Sequence, residues 1–232
     1  MKFIKDIDIR NKRVLIRVDY NVPLENDKII NDFRIKRSLE TINYCIDQNA
    51  SIVLMSHLGR PDGSYSPDLS LEPISWYLED VLDMSIFFSD DCVSEKSTLM
   101  SKSLKAKEIL LLENLRFHKE ENSNDSDFSK KLSQHADVYI NDAFGTAHRS
   151  HSSNVGVTKY FKEKGCGFLM MEEVKYLKDS MDNPESPLLV IIGGAKISTK
   201  IELINNLINR ADIILIGGGM AFTFLKALGY EI

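Results

Sequence analysis

Each of three short apolar runs in this 232-residue chain is followed, four to eight residues on, by an arginine. SIVLM (51–55) leads to Ser56, His57, Leu58, Gly59 and Arg60. EILLL (108–112) leads to Glu113, Asn114, Leu115 and Arg116. DVYIN (137–141) leads through Gly145, Thr146 and Ala147 to His148, Arg149 and His151. A further run, VLIRV (14–18), leads to Asp19, Tyr20 and Asn21, and Arg34 begins the helical pattern after it. Arginines converging on one place repel one another unless an anion lies among them, and the guanidinium fork fits phosphate or carboxylate through two parallel hydrogen bonds. Asp19 and Asn21 do not favour an anion; they suit a hydroxyl. The ligand described by these side chains is small and polyanionic and carries a hydroxyl, as a sugar phosphate or a phosphorylated hydroxy acid does.

Taken singly, the same residues have plainer explanations. A lone exposed arginine is usually a solvated charge. Gly59–Arg60–Pro61 can be no more than a tight turn. His118 and His135 lie in charged or helical stretches and read as surface or core filler. What favours chemistry is the coincidence: polar groups follow every one of these runs at the end where open parallel sheets bind ligands.

A second group is built from glycine and lysine. LVIIGGAK (189–196) and ILIGGGMA (214–221) each run from an apolar stretch into glycines and then a helical pattern. Gly193, Gly194, Lys196 and Lys200 would place free N–H groups and two point charges at a helix start, which suits a phosphate. No Gly-Lys-Ser/Thr is present, so this is not a Walker A loop. The Gly217, Gly218 and Gly219 run is not the dinucleotide fingerprint either, because Phe222 stands where its third glycine would be. Tight strand–helix packing explains these glycines about as well as ligand contact.

Composition limits the alternatives. The net charge of −5, from 29 Lys+Arg against 34 Asp+Glu, argues against a nucleic-acid-binding surface. The cysteines, Cys45, Cys92 and Cys166, are far apart and show no metal-ligand spacing, which fits a reducing cytoplasmic setting and no protein-held metal. The opening MKFIKDIDIR is too charged for a secretory signal, and no apolar run approaches the roughly 18 residues that span a bilayer.

The elements that must position these groups alternate. Near-continuous Val/Ile/Leu runs at 14–18, 51–55, 108–112, 137–141, 188–192 and 212–216 read as strands buried on both faces of a parallel sheet. Between them Ile35, Leu39, Ile42 and Ile46 share one helical face after the capping residues Asn31 and Asp32. Pro73 stands in the first turn of a second helix, carrying Ile74, Leu78, Val81 and Leu82. This alternation predicts an α/β, Rossmann-like doubly wound parallel sheet in three α/β/α layers. GFLMMEEVKYLKDSMD (167–182) reads as one helix that DNPESP (182–187) ends. The expected organisation is one domain over 1–166, a linking helix and hinge over 167–186, and over 187–232 the beginning of a second α/β domain. With only two strands, that last part is expected to be incomplete, with edges that another chain covers.

RVDYNVPL (17–24), DFRI (32–35), SHLGRP (56–61), LLENLRFH (111–118), INDAFGTAHRSHSS (140–153), GGAKISTK (193–200) and IGGGMAFTFLK (216–226) resemble phosphoglycerate kinases. The resemblance covers essentially the whole chain, in order. It implies transfer of a phosphoryl group between 1,3-bisphosphoglycerate and ADP, giving 3-phosphoglycerate and ATP with Mg²⁺, by a cytoplasmic enzyme whose two domains close over a cleft. On that likeness Asp19 and Asn21 meet the substrate's hydroxyl and carboxyl. His57, Arg60, Arg116 and Arg149 hold the phosphate that is not transferred. Arg34 and Lys200 accompany the phosphoryl in transit, and Gly194, Lys196, Lys200, Gly217 and Gly218 line the nucleotide side. The resemblance also implies that the second domain continues past residue 232, where the magnesium-positioning loop lies, and that a complete enzyme is monomeric, whereas an incomplete second domain invites self-association. Tyr20 stands where the family usually has phenylalanine. The alternative is a 3-phosphoglycerate-binding fragment without turnover.

Overall fold

The computed structural model describes residues 1–182 and 184–232. The chain divides into two compact units, Met1–Glu173 and Val174–Ile232. The first is built on strands β1 (Arg13–Arg17), β4 (Ser51–Met55), β5 (Ile86–Ser89), β6 (Ile109–Leu112), β7 (Val138–Asn141) and β8 (Glu163–Cys166), with a small hairpin, β2 (Leu24–Glu25) and β3 (Lys28–Ile29), to one side. The six strands form one sheet in the order β5-β6-β4-β1-β7-β8, and every pairing is parallel. The order runs outward from β1 to one side and then returns to the other through β7. A ligand crevice is expected at such a reversal.

The predicted strands are present within a residue or so of their expected limits. β5 and β8 were not among them. IFFS (86–89) is an edge strand with Phe87 exposed, and EKGC (163–166) is a polar edge strand buried mainly at Cys166, so neither shows the continuous apolar run of an interior strand.

Both faces of the sheet are dry. Val14, Ile16, Ile52, Leu54, Ile109, Leu111 and Ile140 pack on one side with residues of α1 (Phe33–Asp47) and α2 (Glu72–Leu82). Leu15, Val53, Met55, Leu110, Leu112 and Tyr139 pack on the other with Phe128 and Leu132 of α5 (Ser126–Ser133). Helix α3 (Glu95–Ser103) and the short α4 (Lys119–Ser123) complete the layers. The result is the three-layer α/β/α fold that the alternation of apolar runs and helical patterns predicts. Asn31, and not Asp32, supplies the side-chain acceptor ahead of α1, taking a hydrogen bond from the Phe33 N–H at 3.0 Å.

Helix α6 (Phe168–Asp182) crosses the division between the units. In the second unit β9 (Leu189–Gly193) pairs in parallel with β10 (Ile213–Gly217), and α7 (Ile201–Ile208) and α8 (Gly219–Ala227) follow them. Ile192, Ile204, Leu207 and Met220 form a small core there. The alternate residues Leu189, Ile191, Ile213 and Leu215 are exposed. No described helix is long and apolar enough to cross a membrane.

The start of α6 is fastened by Asp142, at the end of β7. Its Oδ1 accepts the Met170 N–H at 3.1 Å, and its buried Oδ2 has no hydrogen-bond partner. A side chain at Gly167 would put its Cβ 2.3 Å from the Asp142 carboxyl. Burial pushes the Asp142 carboxyl up from 3.8 to about 6. The folded state thus favours the protonated acid, so Asp142's contribution to stability is largest below about pH 4 and is lost as pH rises to about 6. We expect Asp142→Asn to gain on the native chain by an amount on the order of 2–3 kcal/mol between those limits. Denaturant titrations of both proteins across that range check this; a constant difference refutes it.

Candidate functional site

Every loop at the carboxyl edge of β1, β4, β6 and β7 is tied to another, and the ties are mostly side chain to backbone. Asn21 Oδ1 accepts the Gly59 N–H at 2.9 Å, and Ser56 Oγ accepts the Tyr20 N–H at 2.8 Å. The Tyr20 hydroxyl lies 3.0 Å from Ser38 Oγ, so the phenol has a buried partner on α1. Asn114 holds the loop after β4: Oδ1 accepts from the Leu58 and Arg116 N–H groups at 3.2 and 3.0 Å, while Nδ2 donates to the Leu58 and Leu69 carbonyls at 2.8 and 2.9 Å. Gly59 has φ +61°, and a Cβ there would come within 2.7 Å of Leu69. Glu113, polar and next to the site in sequence, is structural. It accepts from Ser70 Oγ and the Leu71 and Asn114 N–H groups at 2.7, 2.8 and 2.7 Å.

The structure separates the predicted residues into two neighbourhoods. Arg60, Arg116 and Arg149, with Asp62, Asn122 and His151, line a cavity of about 320 Å³. Arg34 and Asp19 lie elsewhere, lining a cavity of about 400 Å³ with Phe33, Arg37, Phe144, Gly145, Leu169, Glu172 and Glu173. Arg34 Nη1 donates to Asp19 Oδ2 and to the Asn21 carbonyl, both at 3.1 Å. Arg37 pairs with Glu172. His57 lines neither cavity, but it feels the charges of Arg17, Arg116, Arg149 and His151. His148 is exposed and lines neither.

Charge in the first cavity is mostly positive, three arginines against the single carboxylate of Asp62. Among the described residues none of Arg60, Arg116 and Arg149 is ion-paired, and the Arg149 Nε is buried without a hydrogen-bond partner. Arg116 Nη1 donates to the Gly59 carbonyl at 2.7 Å. Burial, then Arg149, Arg17 and Arg60, lower the Arg116 pKa, with Glu121 opposing them. An anion would relieve both the repulsion and the unpaired donor.

Reasoning from the sequence missed the layer beneath. Arg17 belongs to a strand and is only 1% exposed. Glu121 on α4 and Ser153 are also buried. Residues 152–156 form a π-helical turn that holds Ser153 against Glu121, whose carboxylate accepts the Ser153 hydroxyl at 2.6 Å and N–H at 2.9 Å. The available signal was the charged residue inside an otherwise apolar run, VLIRV. His135, read as structural, is fully buried, with Nδ1 2.9 Å from Ser101 Oγ and Nε2 2.9 Å from the Cys92 carbonyl.

In the second unit the two glycine turns lie against each other. A Cβ at Gly218 (φ +69°) would sit 2.9 Å from the Gly194 carbonyl oxygen, and the Met220 N–H donates to that same oxygen at 2.9 Å. A Cβ at Gly194 would meet Lys200 Cε at 3.0 Å, so the missing side chain gives Lys200 its path. Gly217 faces only the Ile192 carbonyl, 4.0 Å from its would-be Cβ. Lys196 is exposed and Lys200 half-buried at the start of α7.

Asn114→Ala removes four hydrogen bonds and leaves buried backbone groups unpaired. We expect a loss of about 2–4 kcal/mol in denaturant unfolding; a change below about 0.5 kcal/mol would show that Asn114 is not the clamp.

The family model described as phosphoglycerate kinase matches residues 4–232. The chain is 50% identical to a phosphoglycerate kinase of Finegoldia magna over 233 aligned positions, covering 100% of this chain and 59% of that protein. It is 46% identical to one from Clostridium botulinum (strain Loch Maree / Type A3), covering 58% of it. Among solved structures, phosphoglycerate kinase from Coxiella burnetii matches with a TM-score of 0.85 at 39% identity, and that from Pyrococcus horikoshii OT3 with 0.87 at 36%. Each covers 100% of this chain and 58% of the solved one. The chain thus spans less than two thirds of the length of the relatives it matches, and over that span it belongs to the phosphoglycerate kinase family.

Proposed function

We propose that the first unit binds 3-phosphoglycerate and 1,3-bisphosphoglycerate, and that the protein moves a phosphoryl group between 1,3-bisphosphoglycerate and ADP to give 3-phosphoglycerate and ATP. The observation that carries this reading is the cavity of unpaired Arg60, Arg116 and Arg149, a seat for a phosphate that stays in place. His57 does not line that cavity but is near enough to feel the charges of Arg116 and Arg149. Asp19 and Asn21 suit the hydroxyl and carboxyl end. Arg34 Nε and Nη2 make no hydrogen bond among the described residues, so this guanidinium retains donors for a phosphoryl oxygen. Gly194, Gly217, Gly218, Lys196 and Lys200 serve the nucleotide.

Phosphoryl transfer needs position and charge neutralisation more than covalent chemistry. The acyl phosphate P–O bond breaks while a β-phosphate oxygen of ADP forms the new one, and Arg34 and Lys200 offset charge on the equatorial oxygens. Magnesium, carried on the nucleotide phosphates, would add to that neutralisation. Among the described residues, the group of three candidate donors within reach of one another is Asp91, Cys92 and His118, whose thiol and imidazole suit softer ions. A cytoplasmic setting belongs to the same reading and is supported by three buried, unbridged cysteines. The share of its relatives that the chain spans, 58–59%, favours a second reading for these 232 residues alone: binding without turnover.

Calorimetric titration of 3-phosphoglycerate into the chain tests the binding. We expect saturation, and Arg149→Ala to weaken it roughly 10–100-fold; no saturable binding by the unsubstituted chain refutes the assignment. Where turnover is measurable, Arg34→Ala is expected to lower kcat far more than it raises KM, because the charge it meets develops in the transition state. An effect confined to KM would reassign Arg34 to ground-state binding.

A further inference from the structure

Arg17 carries a full charge into the interior, and each of its guanidinium nitrogens meets a partner. Nε donates to Ser153 Oγ at 3.0 Å, Nη1 to the Val18 carbonyl, and Nη2 lies 3.0 Å from His57 Nδ1. Ser153 in turn hydrogen-bonds the carboxylate of Glu121, which is 1% exposed and favours the Arg17 charge. The backbone carbonyl of Ser153 accepts from the Tyr139 hydroxyl at 2.8 Å, so the serine is held from both ends.

A guanidinium has donors only. The His57 Nδ1 facing it must therefore present its lone pair, which leaves the ring's single proton on Nε2. No described residue hydrogen-bonds that Nε2. We propose that Arg17, held by Ser153 and Glu121, is a positioning residue that locks His57 in the neutral Nε2–H tautomer, so that His57 offers a bound anion an uncharged donor. The use made of that donor rests on the anion-binding reading above; the tautomer does not.

The surroundings agree with a neutral ring. Burial lowers the His57 pKa to about 2, and Arg17, Arg116, Arg149 and His151 all act in the same direction. Glu121 faces Arg17 and His151, and Asp19 also acts on Arg17. A charged His57 would repel Arg17, Arg116 and Arg149, whose charges already act on it. A neutral donor adds direction without charge, and its strength does not vary near neutral pH.

The test begins with the unliganded, unsubstituted chain carrying ¹⁵N-labelled imidazoles, with His57 assigned by its loss in His57→Gln. Multiple-bond ¹H–¹⁵N spectra from about pH 5 to about pH 8, the range where histidine ordinarily titrates, should show Nε2 protonated, Nδ1 unprotonated, and no titration. An Nδ1–H ring or an imidazolium in that range overturns the proposal. Next comes Arg17→Met, paired with Glu121→Gln so that no buried carboxylate is left without its counter-charge. Both tautomers should then populate, and 3-phosphoglycerate should bind about tenfold more weakly. An unchanged His57 tautomer in the double variant assigns the lock to another residue and also overturns the proposal. If the unsubstituted chain shows the expected tautomer but binds no 3-phosphoglycerate, the functional reading fails and the lock stands.

Discussion

Two like charges about 4 Å apart near a protein surface repel by about 4 kcal/mol. The first unit places Arg60, Arg116 and Arg149 around one cavity and buries Arg17 beneath them. The backbone and Glu121 take up part of that charge. Arg116 is turned onto the Gly59 carbonyl, and the loop bearing that carbonyl is gripped by Asn21 and Asn114. Arg17 sits behind Ser153 with Glu121 as its counter-charge. The unpaired Arg149 Nε marks the point where this compensation stops. The site is thus strained in electrostatics and fixed in geometry, and an anion would gain from both.

Much of this was legible in the residues before the fold was known. Interior strands of a parallel sheet are dry on both faces, so their apolar runs stand out, and the arginines after them could be grouped by topology alone. Edge strands lack that signal. Ile86–Ser89 and Glu163–Cys166 escaped notice because one side of each is open. Glu113 and Asn114 were visible as polar residues after a strand, but nothing in their types says that they bind backbone and not substrate. Arg17 was the hardest to read. A single charge within VLIRV looks like the end of a strand, and only its partners 40 and 136 residues away explain its burial. Nor does position along the chain divide the arginines: Arg34, grouped with the others by type, lines a different cavity.

The second unit follows another rule. Its glycines matter through what they let approach. Gly218 permits the β10 turn to lie on the Gly194 backbone, and Gly194 leaves room for the stem of Lys200. The packing explanation and the ligand explanation of these glycines are therefore not rivals. The same absent side chains that let the two turns touch leave N–H groups and a lysine beside them.

The π-helical turn at Ser152–Gly156 connects these themes. A turn wound one residue wider than an α-helix lets Ser152, Ser153 and Asn154 all point inward, to the Glu120 carbonyl, Glu121 and the Thr146 carbonyl. Gly156 closes it where any Cβ would come within 2.1 Å of Ser129 Oγ. Such a turn has a reading frame. Deleting one residue would wind it back to α-helical pitch and rotate the side chains that follow within the turn by about 100°. The length of this stretch is therefore as tightly constrained as the buried side chains it carries.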